Sequence, residues 1–122
     1  MQNGATALFM ASQNGHVEVV RFLLARRDVE LNKASLRGAS ALYVASQNDH
    51  VEVVRLLLAR QGVEVNKTAQ NGFTALMVAS QNGHVEVVQL VLARQGVEVN
   101  KAAPGGATAL IFASQKGHVE VV

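Results

Sequence analysis

The tripeptide His-Val-Glu begins at His16, His50, His84 and His118, so it returns every 34 residues. The same step carries Gly4 to Gly38, Gly72 and Gly106, and Ala7-Leu8 to 41–42, 75–76 and 109–110. Between 35–68 and 69–102, 24 of 34 positions are identical. A unit this short cannot bury an apolar face alone, so a repeat of this length points to neighbours stacked into a continuous core. The units run 1–34, 35–68, 69–102 and a truncated 103–122. Neither a linker nor a shift in composition interrupts them, which predicts one array across 1–122.

Each unit reads as two short helices followed by an extended finger. A hydroxyl precedes the first helix at Thr6, Ser40, Thr74 and Thr108. Thr and Ser interchange there, as expected where the side-chain oxygen caps an orphan backbone N–H. In the Ala-Leu-x-x-Ala-Ser-Gln segment that follows, Leu8 and Ala11 fall on one helical face. Gly15 ends that helix where a positive φ is commonly needed, and Asp49 takes the equivalent place in the second unit. The second helix, 17–26, puts Val19, Val20, Leu23 and Leu24 on one apolar stripe. Glu18 in its first turn and Arg26 in its last have the signs that the helix dipole favours. Val63-Glu64-Val65-Asn66 alternates apolar and polar, which predicts a short extended stretch. Asn71-Gly72 and Pro104-Gly105-Gly106 are turn signals closing the finger.

Tetratricopeptide repeats share the period of 34, but their signature needs Trp, Tyr and Pro at fixed places, and this chain has no Trp, one Tyr and one Pro. The motifs resemble ankyrin repeats instead. In 69–102 they read Gly72-Phe73-Thr74-Ala75-Leu76, Ala79-Ser80, Asn82-Gly83-His84-Val85-Glu86-Val87-Val88, Leu90-Val91-Leu92 and Val99-Asn100. The ankyrin period is about 33, and one extra residue fits between the second helix and the finger at little cost. The resemblance implies an all-α, helix-turn-helix solenoid with short β-turn fingers. It also implies a histidine bonded to the capping hydroxyl, where this chain has Phe9, Tyr43, Met77 and Ile111. The expected effect is some loss of rigidity at those turns, not a change of fold.

Composition narrows the chemistry. There is no cysteine, which excludes disulfides, thiolate zinc sites and cysteine nucleophiles and leaves the redox compartment undetermined. Eleven basic residues against nine acidic give a net charge of +2, too small to demand a nucleic-acid face. No apolar run approaches the ~18 residues of a membrane span. Met1-Gln2-Asn3-Gly4 does not read as the start of a signal peptide. The resemblance favours an intracellular setting, and the sequence leaves the compartment unnamed.

The four histidines invite a metal reading. Stacked helices hold equivalent atoms roughly 8–10 Å apart, too far for ligands of one zinc ion. They read as structural side chains bonded to nearby backbone. Ser12, His16 and Glu18 resemble a hydrolytic triad, but the trio recurs at Ser46, His50, Glu52 and at Ser80, His84, Glu86. A catalytic set needs one pocket and an oxyanion hole, so recurrence points to scaffold. No phosphate-cradling glycine loop is present, and nothing calls for a cofactor. Lys33, Lys67 and Lys101 form a ladder, with Arg26, Arg60 and Arg94 forming another, interleaved with Glu30, Glu64 and Glu98 that largely cancel the field.

Function then falls to the positions where the units differ. The resemblance implies a non-catalytic protein–protein interaction module presenting its finger tips and the concave face of its first helices. Mapped onto this chain, the candidate contacts are Gln2, Asn3, Leu36, Arg37, Gln47, Asn48, Gln70, Asn71, Phe73, Gln81, Asn82 and Lys116. Leu36 and Phe73 are apolar at finger tips, where they either meet a partner or pack against neighbouring fingers. Two alternatives stay open. The near-identity of the units also fits a consensus-type designed or excised scaffold with no natural partner, and the lysine ladder fits weak binding of an anionic polymer or membrane surface. The ends carry a further expectation. Val19, Phe22 and Leu23 leave the first unit without a polar cap, and Val119–Val122 is too short to hold a helix. This predicts fraying of the fourth unit, with end-to-end self-association or low stability.

Overall fold

The computed structural model describes residues 6–35 and 37–100. Six helices occur in this part: α1 (Ala7–Gln13), α2 (Val17–Leu24), α3 (Ala41–Gln47), α4 (Val51–Leu58), α5 (Ala75–Gln81) and α6 (Val85–Ala93). No strand occurs among the described residues. Helices of seven to nine residues are too short to persist alone in water, so packing must hold them. Each pairs with its partner in the unit. In addition, α1 packs on α3 and α3 on α5, while α2 packs on α4 and α4 on α6. The chain is therefore an all-α repeat solenoid with two parallel ranks of helices.

The capping expectation is met at three of its four positions. The hydroxyls of Thr6, Ser40 and Thr74 accept the backbone N–H of Phe9, Tyr43 and Met77 at 3.1, 3.2 and 3.2 Å; Thr108 lies outside the described residues. Gly15, Asp49 and Gly83 follow the first helices with φ of 70°, 61° and 72°. A Cβ on Gly15 would stand 2.6 Å from Nδ1 of His50, so sterics as well as φ favour glycine there.

The core runs continuously between the two ranks. Val53, Val54 and Leu57 of α4 and Val87, Val88 and Val91 of α6 are almost wholly buried, as is Val20 of α2. Each such side chain contributes about 1.5–3 kcal/mol relative to exposure. Ser12, Ser46 and Ser80 are fully buried between the helices with no hydrogen-bond partner for Oγ, so they serve as small spacers. Phe9 and Tyr43 sit with Ala39, Val44 and Val78 in a smaller second cluster.

Three local expectations change. The second helix of unit one ends at Leu24, so Arg26 lies beyond it, and the last-turn cation is Arg21. Arg26 pairs instead with Asp28 at 3.0 Å. The apolar stripe of α2 is split, with Val20 and Leu24 buried but Val19 49 % exposed, because no described unit stands before it. The 63–66 alternation sets burial without making a strand: Val63 and Val65 are buried and Glu64 exposed, while a turn takes residues 65–66.

Candidate functional site

The fingers are tight turns closed by backbone bonds. Ser35 N–H donates to the Ala39 carbonyl at 2.9 Å and Gly38 N–H to Ser35, also at 2.9 Å. The next finger repeats this with Ala69 N–H to Phe73 (2.9 Å) and Gly72 N–H to Ala69 (2.8 Å). The two fingers join where Gln70 N–H donates to the Arg37 carbonyl at 2.8 Å. Gly38 permits that approach, since a Cβ on it would stand 2.8 Å from the Gln70 nitrogen. The fingers are thereby fixed to one another.

Between the fingers and the first helices lies a groove of about 550 Å³. Its apolar floor comes from Phe9, Ala39, Tyr43 and Val44, all buried. Exposed Gln13 and Gln47 line one side, and exposed Arg37, Gln70 and Asn71 the other. Asn71 Nδ2 donates to the Tyr43 hydroxyl at 3.3 Å, while its Oδ1 accepts the Phe73 N–H at 2.9 Å. Arg37 is the one charged residue of the lining, and its guanidinium makes no ion pair with a described residue. Such a surface offers apolar area, amide donors and acceptors, and one cation. It offers no nucleophile–base pair.

The candidate contacts divide in two. Arg37, Gln47, Gln70 and Asn71 come together on the groove. Asn48 and Asn82 instead stitch units together, donating from Nδ2 to the carbonyls of Gln13 and Gln47 at 3.1 and 3.4 Å. Gln81 is partly buried at the end of α5, and Phe73 is partly buried and packs against both apolar clusters. Gln2, Asn3, Leu36 and Lys116 lie outside the described residues, as do Ile111 and the fourth unit's end. Phe9, Gln13, Ser35, Ala39, Tyr43, Val44 and Ala69 line the groove without having been candidates. The signal for Phe9, Tyr43 and Val44 was their variation between units at 9–10 and 43–44.

The histidines join neighbouring units. His50 Nε2 lies 3.0 Å from the Gln13 carbonyl and His84 Nε2 lies 2.9 Å from that of Gln47. Among the described residues, no group of three His, Asp or Glu side chains is placed to hold a metal ion. No described helix is long and apolar enough to cross a membrane. Charges on the outer faces pair locally: Lys33 with Glu30 at 3.6 Å, and Arg55 with Glu52 at 3.0 Å and Glu86 at 3.5 Å.

A family model described as ankyrin repeats (3 copies) matches residues 1–69 and again 61–122. No curated protein matches the chain.

Proposed function

Because the chain belongs to the ankyrin-repeat family, whose repeats are generally protein–protein interaction modules and typically non-enzymatic, we propose that it binds a protein partner through the groove between its fingers and first helices. The reading takes the four units as one array, extending that surface along the chain. The observation that carries it is the groove lining: an apolar floor at Phe9 and Tyr43 beside exposed Arg37, Gln47 and Gln70. Aromatic and arginine side chains are the residue types that most often anchor protein interfaces.

The test is capture of partners on the immobilised chain at low and high salt, alongside an Arg37→Glu variant of unchanged helicity. A saturable protein partner retained by the parent and lost by the variant supports the reading. Capture that is equal for both, or binding only of anionic polymers at low salt, overturns it.

A further inference from the structure

Arg37 and Asn71 occupy one register position, a step of 34 apart, in the fingers of units two and three. The scaffold uses Asn71: its Oδ1 accepts the Phe73 N–H at 2.9 Å and its Nδ2 donates to the Tyr43 hydroxyl at 3.3 Å. Arg37 can do neither. A guanidinium has no acceptor to offer the Ala39 N–H, and the residue that stands to Arg37 as Tyr43 stands to Asn71 is Phe9, which has no hydroxyl. Its backbone is fixed all the same, because the Arg37 carbonyl accepts the Gln70 N–H at 2.8 Å. The fold therefore holds an exposed guanidinium at the groove and makes no ion pair with it among the described residues.

The rest of the lining has the same electrostatic sense. No carboxylate lines the groove. The Tyr43 hydroxyl serves Asn71 as acceptor, which leaves its own proton to donate. The exposed amides of Gln47 and Gln70 each carry two more donor hydrogens. Beneath them Phe9 and Tyr43 give an apolar floor. A basic segment would meet one cation and no anion here. An acidic one meets a guanidinium whose fork matches a carboxylate, in a charge-assisted bond stronger than a neutral one.

Size narrows the occupant further. Two turns of α-helix, about 10–12 Å across, fill at least ~850 Å³, more than the groove's 550 Å³. A few residues of extended chain fit. We infer that the groove takes an extended acidic peptide segment of the partner protein, with an Asp or Glu carboxylate forked by Arg37 and a neighbouring apolar side chain on Phe9 and Tyr43. This rests on the groove being the binding surface and adds the chemistry of what enters it. Arg37 then selects the segment by charge, while the floor rejects an acidic run that carries no apolar residue.

Selection from a displayed library of random short peptides tests this on three chains of equal helicity by circular dichroism: the parent, Arg37→Glu, and Arg21→Glu. The last changes net charge by the same amount on the exposed side of α2, at a residue that does not line the groove. Parent and Arg21→Glu should enrich peptides with an acid beside an apolar residue. Those peptides should bind Arg37→Glu about tenfold or more weakly. Changing the peptide's acid to its amide should weaken binding to the parent and not weaken it further on Arg37→Glu. The inference is overturned by enriched peptides without acids, by acidic peptides that need no apolar residue, by equal binding to Arg37→Glu, by equal loss on Arg21→Glu, or by no enrichment at all. The wider reading fails separately, when proteins captured by the parent are captured equally by Arg37→Glu.

Discussion

Oδ1 of Asn32 accepts the backbone N–H of Glu64, thirty-two residues away, at 2.8 Å. The same side chain donates from Nδ2 to the Gly62 carbonyl at 2.7 Å, so one amide occupies both the donor and the acceptor of the next unit's loop. Asn66 repeats the arrangement on Gly96 and Glu98 at 2.8 and 2.7 Å. Removing this side chain strands a carbonyl and an N–H together. Asn66→Ala should lower the unfolding free energy by about 1–2 kcal/mol. Denaturant titration measures this, and hydrogen exchange should show protection lost at the Glu98 amide while that of Glu64 is kept.

The turn between the two helices of a unit makes the same demand at Gly15 and Asp49. Both have positive φ, but only Gly15 avoids a Cβ. Gly15→Ala should cost about 1–2 kcal/mol, because the alanine adopts a left-handed conformation and its Cβ crowds the His50 ring. Asp49→Gly should gain up to about 1 kcal/mol through relief of that strain, offset by loss of the 3.7 Å contact to His84. Thermal melts of both variants decide it: a Gly15→Ala chain as stable as the parent defeats the first expectation, and a destabilised Asp49→Gly chain the second.

Buried hydroxyls without partners are a reserve of stability. Ser46 is fully buried between the ranks with Oγ unbonded. Ser46→Ala keeps the small volume and removes an unsatisfied polar atom, so stability should hold or rise by about 1 kcal/mol. A loss of more than about 1 kcal/mol in denaturant would mean that the hydroxyl is bonded in solution.

One exposed pair titrates. Arg26 hydrogen-bonds and electrostatically stabilises the Asp28 carboxylate, holding its pKa below the ordinary carboxylate range. A depressed folded-state pKa means that the pair stabilises the fold above the unfolded carboxyl pKa of about 3.9 and that this is lost as pH falls through the lower folded value. Both groups are open to solvent, so the effect on melting should be slight, and carbon NMR of the Asp28 carboxyl is the sharper reading. Arg26→Gln should return that titration to the ordinary range.

Phe73 separates packing from recognition. It is partly buried against both apolar clusters. Truncation to alanine should cost about 2–3 kcal/mol of stability, measured by denaturant titration. A stability change within about 0.5 kcal/mol, with partner capture lost, would assign Phe73 to the interface instead.

The helices, their caps and their stacking partners were legible because each depends on residue types that recur at one spacing. Thr6, Ser40 and Thr74 act through the nearest turn, and a local rule suffices to read them. The groove was legible only at its rim. Arg37 and Gln70 are polar and differ between units, whereas the floor residues Phe9 and Tyr43 occupy a helix position that reads equally as core. Their exposure to the groove depends on how neighbouring helices are offset, a tertiary quantity that no single unit encodes. Asn48 and Asn82 read as partner contacts because the resemblance maps contacts onto the exposed edge of the first helix, where a surface amide looks free until the preceding unit's carbonyl is in view. Likewise Arg26 and Arg60 occupy equivalent positions, yet one pairs with Asp28 and the other donates to the Leu24 carbonyl. The first has no described unit before it to reach, and the next residue pair is Arg27-Asp28 where the second unit has Gln61-Gly62.

The side-chain hydrogen bonds that cross between described units span 28 to 37 residues. Their reach in sequence is set by the length of one unit and not by the length of the chain. Folding therefore requires loop closures of one characteristic size, repeated, and lengthening the array adds more closures of that size without adding longer ones. Where folding speed tracks the mean sequence separation of contacts relative to chain length, each added unit lowers that ratio. Growth of the array then proceeds by extension from any unit pair already formed, and melting retreats from whichever end is least covered.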